Sequence, residues 1–474
     1  MVLLTLPVSV IPLHYRKPVF FIALYVLAIG EGGHKPCVQT FAADQFDEND
    51  PQEKAAKSSF FNWWYVGIVT GASVTIVVVI YLQVSSIESC VSLAAALGVF
   101  LAGIKRYRKQ GPTGSPFTML AQVFVAAAKK RRVSETYGGR GICYEDDKTS
   151  GSYNLARTNQ FRFLDKAMII DNKDFLSNTK DPWRLCSMNQ VEEVKLVLRL
   201  IPIWLACLML SAVLTQNNKF FTKQGNTMLR SIGPNFQVPP AAVQSLVGLE
   251  VLILVSVYDQ VFVPMARKIT GHPRGITMLQ RIGAGLFVSI LSIVVAALVE
   301  TDRVNTTSKH GLLDTPKAIV LMSIWWLVPQ YMVMGLGDCL AVVGLQELFY
   351  NQMPEAMRSI GAAAYISITG VGSFLNTAII SWGNVSNAHP TLGRDLLREA
   401  CSSHIGNFSV CPIFPTVQAI TSRHGNAWLG DNLNRANLNY FYWVLAGLSG
   451  VNLCVYMWIA KRFVYKKVEN NNNR

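Results

Sequence analysis

An apolar segment near the start of the chain, residues 19–41, contains two opposite charges four positions apart, Glu31 and Lys35. The segment is long enough to cross a bilayer, where an unpaired ammonium group costs at least about 2.5–3.5 kcal/mol. Because such a charge is usually tolerated only beside a bundle interior or a wet cavity, Lys35 predicts a substrate-binding position. Two alternatives remain open. Lys35 could extend towards the cytosolic end of the helix, or it could pair with Glu31, since residues four apart share a helix face.

Asp338 is the lone carboxylate of the apolar segment 317–340. A buried carboxyl group favours its neutral form, whereas a nearby cation favours the ionised form, so Asp338 suits a proton-linked or anion-linked site. We expect Lys35 to supply positive charge to a nitrate or a substrate carboxylate, and Asp338 to tune or pair with it. Glu31 and Asp338 are the candidates for proton coupling. The alternative for Asp338 is a structural carboxylate bonded to a neighbouring helix.

Three further polar side chains are candidates for binding the solute. Gln216 and Asn217 end a long apolar segment, where amides could bind substrate or merely solvate the exit. Tyr65 follows two tryptophans at the start of another segment. It could line a pocket or belong to the aromatic belt of the membrane interface.

Asp259, Arg267 and Arg281 bracket a predicted cytosolic turn between two apolar segments. Charge pairs at this position are more typical of a gate than of a contact with substrate. We therefore predict that these three residues hold a gate or a helix turn.

The composition indicates an all-α polytopic membrane protein. Of the 474 residues, 51% are hydrophobic and 15% charged, whereas soluble domains carry about 25% charged residues. Continuous apolar runs exclude a transmembrane barrel, whose strands alternate. The net charge of +14 fits loops that follow the positive-inside rule and not a nucleic-acid-binding module. No catalytic motif stands in a suitable context, no cysteines have metal-ligand spacing, and we expect no enzyme activity, metal or cofactor.

The apolar runs predict a partial first bundle at 1–104, a cytosolic linker at 105–190, a second bundle at 191–464 and a cytosolic tail at 465–474. The predicted spans are 19–41, 60–83, 89–104, 191–216, 241–265, 278–299, 317–340, 360–382 and 438–464. Basic residues in the linker, in the loop 266–277 and in the tail place all three on the cytosolic side. Two blocks of spans around a long linker are typical of a two-half transporter.

Long motifs of the chain resemble those of the proton-dependent oligopeptide transporter family, in particular its plant nitrate/peptide branch. The motifs are GEGGHKPCVQTFAADQFDENDPQEKAAKSSFFNWWYVGIVTGA at 30–72, YDQVFVPMARKITGHPRGITMLQRIGAGL at 258–286 and LQELFYNQMPEAMRSIGAAA at 345–364. The resemblance implies the major facilitator fold, with an incomplete amino-terminal bundle, a six-helix carboxy-terminal bundle and alternating access around a central cavity. It also implies that Lys35 is the family's cavity lysine and that Asp338 replaces its usual glutamate.

Three departures from the family pattern bear on function. The chain begins inside the equivalent of the third span, so the first-span proton-coupling motif is not in this sequence; the sixth span is short, and residues 385–418 form an atypical insert. By resemblance the protein is a proton-coupled carrier of a small polar or anionic solute in the plasma or vacuolar membrane. The alternative is a non-transporting truncated form that associates with full-length family members.

Overall fold

The apolar runs form long helices in the computed structural model. It describes residues 13–47, 50–82, 86–108, 115–131, 155–170, 181–216, 220–232, 236–271, 275–313, 315, 318–385, 433–434 and 438–466. The helices are α1 Leu13–Ala43, α2 Pro51–Leu82, α3 Ser86–Ala102, α4 Pro116–Lys129, α5 Met188–Gln216, α6 Thr222–Asn226, α7 Pro240–Val243, α8 Leu246–Thr270, α9 Met278–Lys309, α10 Val328–Gln352, α11 Arg358–Val385 and α12 Leu438–Arg462. Short 3₁₀ helices occupy Arg162–Met168, Ile324–Leu327 and Glu355–Met357.

Six helical stretches of the described residues are long and apolar enough to cross a membrane. They are Ser59–Val78, Met188–Leu214, Leu246–Thr270, Met278–Lys309, Ile324–Gln352 and Leu438–Arg462. Every predicted span overlaps a helix, and these six lie where spans are predicted. The prediction of a polytopic helical fold is therefore confirmed.

Three predicted spans have wrong boundaries, of which 278–299 ends ten residues before the end of its helix, Met278–Lys309. The span predicted at 317–340 begins with a strand, β4 Val320–Ser323, and its helical part runs from Ile324 to Gln352. The strand pairs in parallel with β1 Met228–Leu229, whereas β2 Ser231–Ile232 and β3 Phe236–Gln237 form an antiparallel pair. The span predicted at 241–265 is displaced along the chain, because α8 continues to Thr270.

The described chain divides into two compact units. The first consists of 1–108, 206–348 and 362–458, and the second of 109–205, 349–361 and 459–474. The domain boundaries predicted from the sequence stay a prediction. The core of the second unit packs α4 and the 3₁₀ helix Arg162–Met168 against the start of α5 through Val123, Leu164 and Val194.

Within the first unit, glycines bring α9 and α10 close together. A Cβ atom added to Gly285 would lie 2.4 Å from the backbone nitrogen of Ala341, and one added to Gly337 would lie 2.7 Å from Oγ of Ser289. Small residues allow such close approach of membrane helices. A second close contact joins α8 to α2, because a Cβ atom on Gly248 would lie 2.1 Å from Oγ of Ser73.

Candidate functional site

Lys35 and Glu31 form an ion pair along α1. Nζ of Lys35 lies 2.8 Å from Oε2 of Glu31, and the two side chains are 60% and 42% exposed. This is the intrahelical alternative that the four-residue spacing leaves open. The predicted contact between Lys35 and Asp338 is not formed in the described residues, since Lys35 pairs with Glu31. Whether Lys35 binds substrate stays a prediction.

Asp338 lies on α10 in a polar environment contributed by other helices. Its Oδ1 atom is buried and accepts no hydrogen bond from the described residues. Tyr65 of α2 is buried, and the half-buried hydroxyl of Tyr365 in α11 accepts from the side-chain amide of Gln346 at 3.0 Å. Tyr65 therefore lies in the interior instead of an exposed aromatic belt, while its binding role and that of Asp338 stay predictions.

Glu250 on α8 is a buried acid that the sequence analysis missed. Its side chain is buried, with 8% of the residue exposed, and it faces α10 three residues before Asp338. Its Oε2 atom packs over Gly335, where an added Cβ atom would lie 2.5 Å away. A signal existed in the sequence, because Glu250 is an isolated charge within an apolar run, as Asp338 is.

Asp259 and Arg281 belong to one polar cluster, which we call the latch: Ser59 and Asn62 of α2, Asp259 of α8, Arg281 of α9, and Cys339 and Glu347 of α10. Asp259 lies in a π-helical turn of α8, Tyr258–Phe262, a distortion that is frequent at functional sites. Ser59 Oγ donates to Oδ2 of Asp259 at 2.7 Å, and the Asn62 amide donates to Oδ1.

Arg281 completes the latch. It donates to Oδ1 of Asn62 at 2.6 Å and to the carbonyl of Cys339 at 3.3 Å, and it lies 3.8 Å from Oε2 of Glu347. Its position near the start of α9 is fixed by a capping box, in which Thr277 and Gln280 bond reciprocally. Asn62 thus connects the predicted gating residues Asp259 and Arg281, which form no direct ion pair with each other in the part of the chain that the structure describes.

The remaining predicted residues do not join these clusters. Arg267 is exposed on α8 and forms no ion pair with the residues that the structure describes, and its gating role stays a prediction. Gln216 is the last residue of α5, but its side chain and all of Asn217 lie outside the described residues. Nothing in the structure bears on those two predictions.

A second buried polar cluster lies around Arg303 of α9. Arg303 and Glu300 are both fully buried, and Arg303 donates to both carboxylate oxygens of Glu300, at 2.8 and 2.7 Å. Arg303 also donates to the Asn434 side chain at 2.9 Å and to the carbonyl of Leu433 at 2.8 Å. The Gln224 amide donates to Glu300 at 2.6 Å. This arrangement connects loop segments to α9. Each N–H group of the Arg303 guanidinium has an acceptor among the described residues, so none is left to bind a ligand.

The long apolar helices and the buried polar sites between them define a multi-pass integral membrane protein. A family model described as the POT family matches residues 1–393. The chain is 51% identical to Protein NRT1/PTR FAMILY 5.4 of Arabidopsis thaliana over 100% of this chain and 81% of that protein. It is 42% identical to Protein NRT1/PTR FAMILY 5.10 of the same plant, over 95% of this chain and 74% of that protein. The chain therefore belongs to the POT family of transporters.

Solved structures support the same fold. The chain matches an auto-inhibited POT family peptide transporter with a TM-score of 0.55 and 17% identity, over 97% of this chain and 80% of that one. It matches the POT family transporter PepTSo with a TM-score of 0.51 and 18% identity, over the same shares of the two chains. The fold expected from the resemblance, that of a major facilitator transporter, is confirmed.

Proposed function

We propose that this chain carries a small polar or anionic solute, of the nitrate or di/tripeptide class, across its membrane by proton-coupled alternating access. The proposal rests on the similarity to the NRT1/PTR relatives. For Protein NRT1/PTR FAMILY 5.4 this similarity is 51% identity over the whole chain. The same extent gives no support to the non-transporting alternative.

Lys35 is the proposed contact for the negative charge of the solute. Its ammonium group is 60% exposed and its ion pair is with Glu31 on the same helix. The pair is open and not packed among the other side chains that the structure describes, so the partner of Lys35 can change without repacking the helices. An anionic solute could therefore replace Glu31 as the partner of Lys35 without disturbing the fold.

Uptake by oocytes that express the chain tests this role. Labelled nitrate and labelled dialanine are supplied outside at acidic pH, and Lys35→Ala is expected to lose uptake of the transported probe. Lys461→Ala is the matched control, because Lys461 is another exposed lysine on a helix. Unchanged transport by Lys35→Ala at equal surface expression would reject the role.

The latch is the proposed gate of the alternating-access cycle. It joins α2, from the first block of spans, to α8, α9 and α10 from the second. Separating these helices requires the Asn62 bonds to Asp259 and Arg281 to break.

A further inference from the structure

We propose that Glu250 and Asp338 form a carboxyl pair that holds one proton between them, and that Glu250 is a proton-carrying residue of the transporter. The shared proton is a property of the pair itself. Its coupling to solute movement rests on the proposed function.

The first step in the argument is the position of Glu250. Its carboxylate lies directly over Gly335, with Oε2 2.5 Å and Cδ 2.9 Å from where a Cβ atom would be. Asp338 is three residues further along the same helix, so its side chain is the neighbour of position 335 on that face. Glycine at 335 leaves the space that allows the Glu250 carboxylate to reach α10.

The second step is the lack of compensating donors. Asp338 Oδ1 is buried and accepts no hydrogen bond from the part of the chain that the structure describes. Glu250 is itself buried, and its carboxylate faces α10 at Gly335, three residues before Asp338. A buried carboxylate without a cation or donors is strongly disfavoured, and two adjacent carboxylates cannot readily both be ionised.

The third step concerns the groups that surround the pair. The guanidinium of Arg281 on α9 donates to the carbonyl of Cys339, the residue next to Asp338, but forms no ion pair with Asp338 in the described residues. The titratable side chains near Asp338 are Tyr65 from α2, Tyr365 from α11 and Cys339 from α10 itself. All three are ordinarily uncharged at neutral pH. The short helix α7, which precedes α8, is Pro-Ala-Ala-Val and has no titratable side chain, and α9 presents the hydroxyl of Ser289 to Gly337.

These observations define the protonation chemistry. With one proton, the O–H of the neutral carboxyl donates to the carboxylate of its partner, and the pair carries one negative charge. On release the O–H bond breaks, the proton passes to water and the pair carries two negative charges. Since that state is strongly disfavoured where Glu250 and the Oδ1 atom of Asp338 are buried, release requires water or a positive charge to reach the pair.

Infrared spectroscopy of the purified protein in liposomes tests the shared proton without any substrate. At neutral pH the wild type is expected to show a carboxylic acid C=O band that shifts in D₂O. Glu250→Gln and Asp338→Asn are each expected to lose it, because the new amide removes the repulsion and donates a hydrogen bond to the remaining carboxylate. Glu355→Gln and Asp302→Asn, at exposed positions, are expected to retain it.

Two outcomes of this measurement would overturn the proposal. A band that persists in both single variants belongs to other groups. A band that is lost in one variant alone shows a proton held by one carboxyl and not shared.

Proteoliposome transport tests the coupling and separates it from the proposed function. Two modes are measured with labelled nitrate and labelled dialanine: exchange at equal pH on both sides, and accumulation driven by a pH gradient. Glu250→Gln is expected to retain exchange and lose accumulation. Accumulation equal to that of the wild type would exclude Glu250 from coupling. A wild type that exchanges neither probe would count against the proposed function, while the infrared result would still decide the shared proton.

Discussion

Arg303 and Glu250 show two opposite solutions to a buried charge. Arg303 has a carboxylate, an amide and a carbonyl as acceptors, so its charge is compensated and its role is structural. Glu250 is almost as deeply buried but has another acid as its electrostatic neighbour. A compensated charge stabilises a conformation only through its partners, whereas an uncompensated one must change its protonation state.

Replacing Arg303 with methionine is expected to destabilise the protein by about 3–5 kcal/mol, because Glu300 would stay buried without its cation. Thermal unfolding in detergent, followed by intrinsic fluorescence, measures the change. The double variant Glu300→Gln and Arg303→Met is expected to recover much of the loss, since it removes both charges and keeps an amide near Gln224. Unfolding of the single variant at the wild-type temperature would contradict this assignment.

Cys186 lies outside the predicted spans, and burial raises the pKa of its thiol to about 11, against an opposing effect of Lys130. The thiol also donates to the carbonyl of Pro182 at 3.6 Å. Because the thiolate is the reactive form, alkylation of Cys186 in the folded protein is expected to rise about tenfold per pH unit up to pH about 11. Mass spectrometry of the Cys186 peptide measures the rate.

The same pKa difference has a defined effect on stability. The folded thiol holds its proton more tightly than an unfolded thiol does, so this contribution is complete below pH about 8.5 and falls as the pH rises towards 11. In denaturant, the alkylation rate is expected to level off near pH 8.5. A plateau at that pH in the folded protein would show that the thiol is not buried.

The latch is a contact between helices that are far apart in the sequence. Asn62 lies 197 residues before Asp259 and 219 before Arg281. Its amide is suited to this place because it donates to the acid and accepts from the base at the same time. Removing it separates the two charged residues without altering either.

Asn62→Ala is expected to weaken the latch and to increase labelling of Cys339. This residue is buried, and its carbonyl accepts a hydrogen bond from Arg281. The rate of modification by N-ethylmaleimide, read for each cysteine by mass spectrometry, measures the opening. Cys207, buried on α5, is expected to stay slow and serves as the internal reference.

A matched variant controls for a general loss of packing. Asn452→Ala also removes an amide contact between helices, the partly buried one with the carbonyl of Ala206, but it leaves the latch intact. It is expected to leave Cys339 labelling unchanged. Equal acceleration in both variants would mean that Cys339 reports loosening of the whole bundle and not opening of the latch.

The sequence predicts the helices well and their boundaries less well, for a physical reason. Residues 318–323 are apolar and continuous with the helix that follows, and periodicity cannot separate a short apolar strand from a helix. Val320–Ser323 becomes a strand because it pairs with Met228 and Leu229, which are distant in the sequence. Local pattern contains no information about that partner.

The residues of the candidate site show the same difference between what a local sequence pattern predicts and what it cannot predict. Lys35, Asp338 and Arg281 can be identified from the sequence, since each is a charge in or beside an apolar run. Their partners cannot. The pairing of Lys35 with Glu31 is local and was available as an alternative, whereas the approach of Glu250 to Gly335 depends on how α8 and α10 pack.

The orientation of the chain in the membrane can be predicted, and the prediction can be tested without a substrate. α9 has 32 residues, which at about 1.5 Å each give roughly 48 Å, more than the hydrocarbon core of about 30 Å. Its two ends must therefore lie on opposite sides of the membrane. Gly271 precedes the first residue of α9 by seven positions, and Gly311 follows its last residue by two. Both glycines are exposed and have positive φ, which makes them turn positions that tolerate insertion.

An epitope tag inserted after Gly311 is expected to be detected on intact cells or vesicles of external orientation. A tag after Gly271 is expected to require permeabilisation, because basic residues place that turn in the cytosol. Antibody binding with and without detergent measures both. The reverse pattern would invert the topology, and equal access at both positions would show that α9 does not span.

The glycine contacts between α9 and α10 restrict which helices can slide during a transport cycle. The backbone of Gly285 is so close to Ala341 that even one methyl group would lie 2.4 Å from a main-chain nitrogen. Sliding by one turn would bring the larger Ile282 or Ser289 side chain to that point. The two helices must therefore move together as one rigid unit. Any rocking motion of the carrier must take place where these two helices contact other helices.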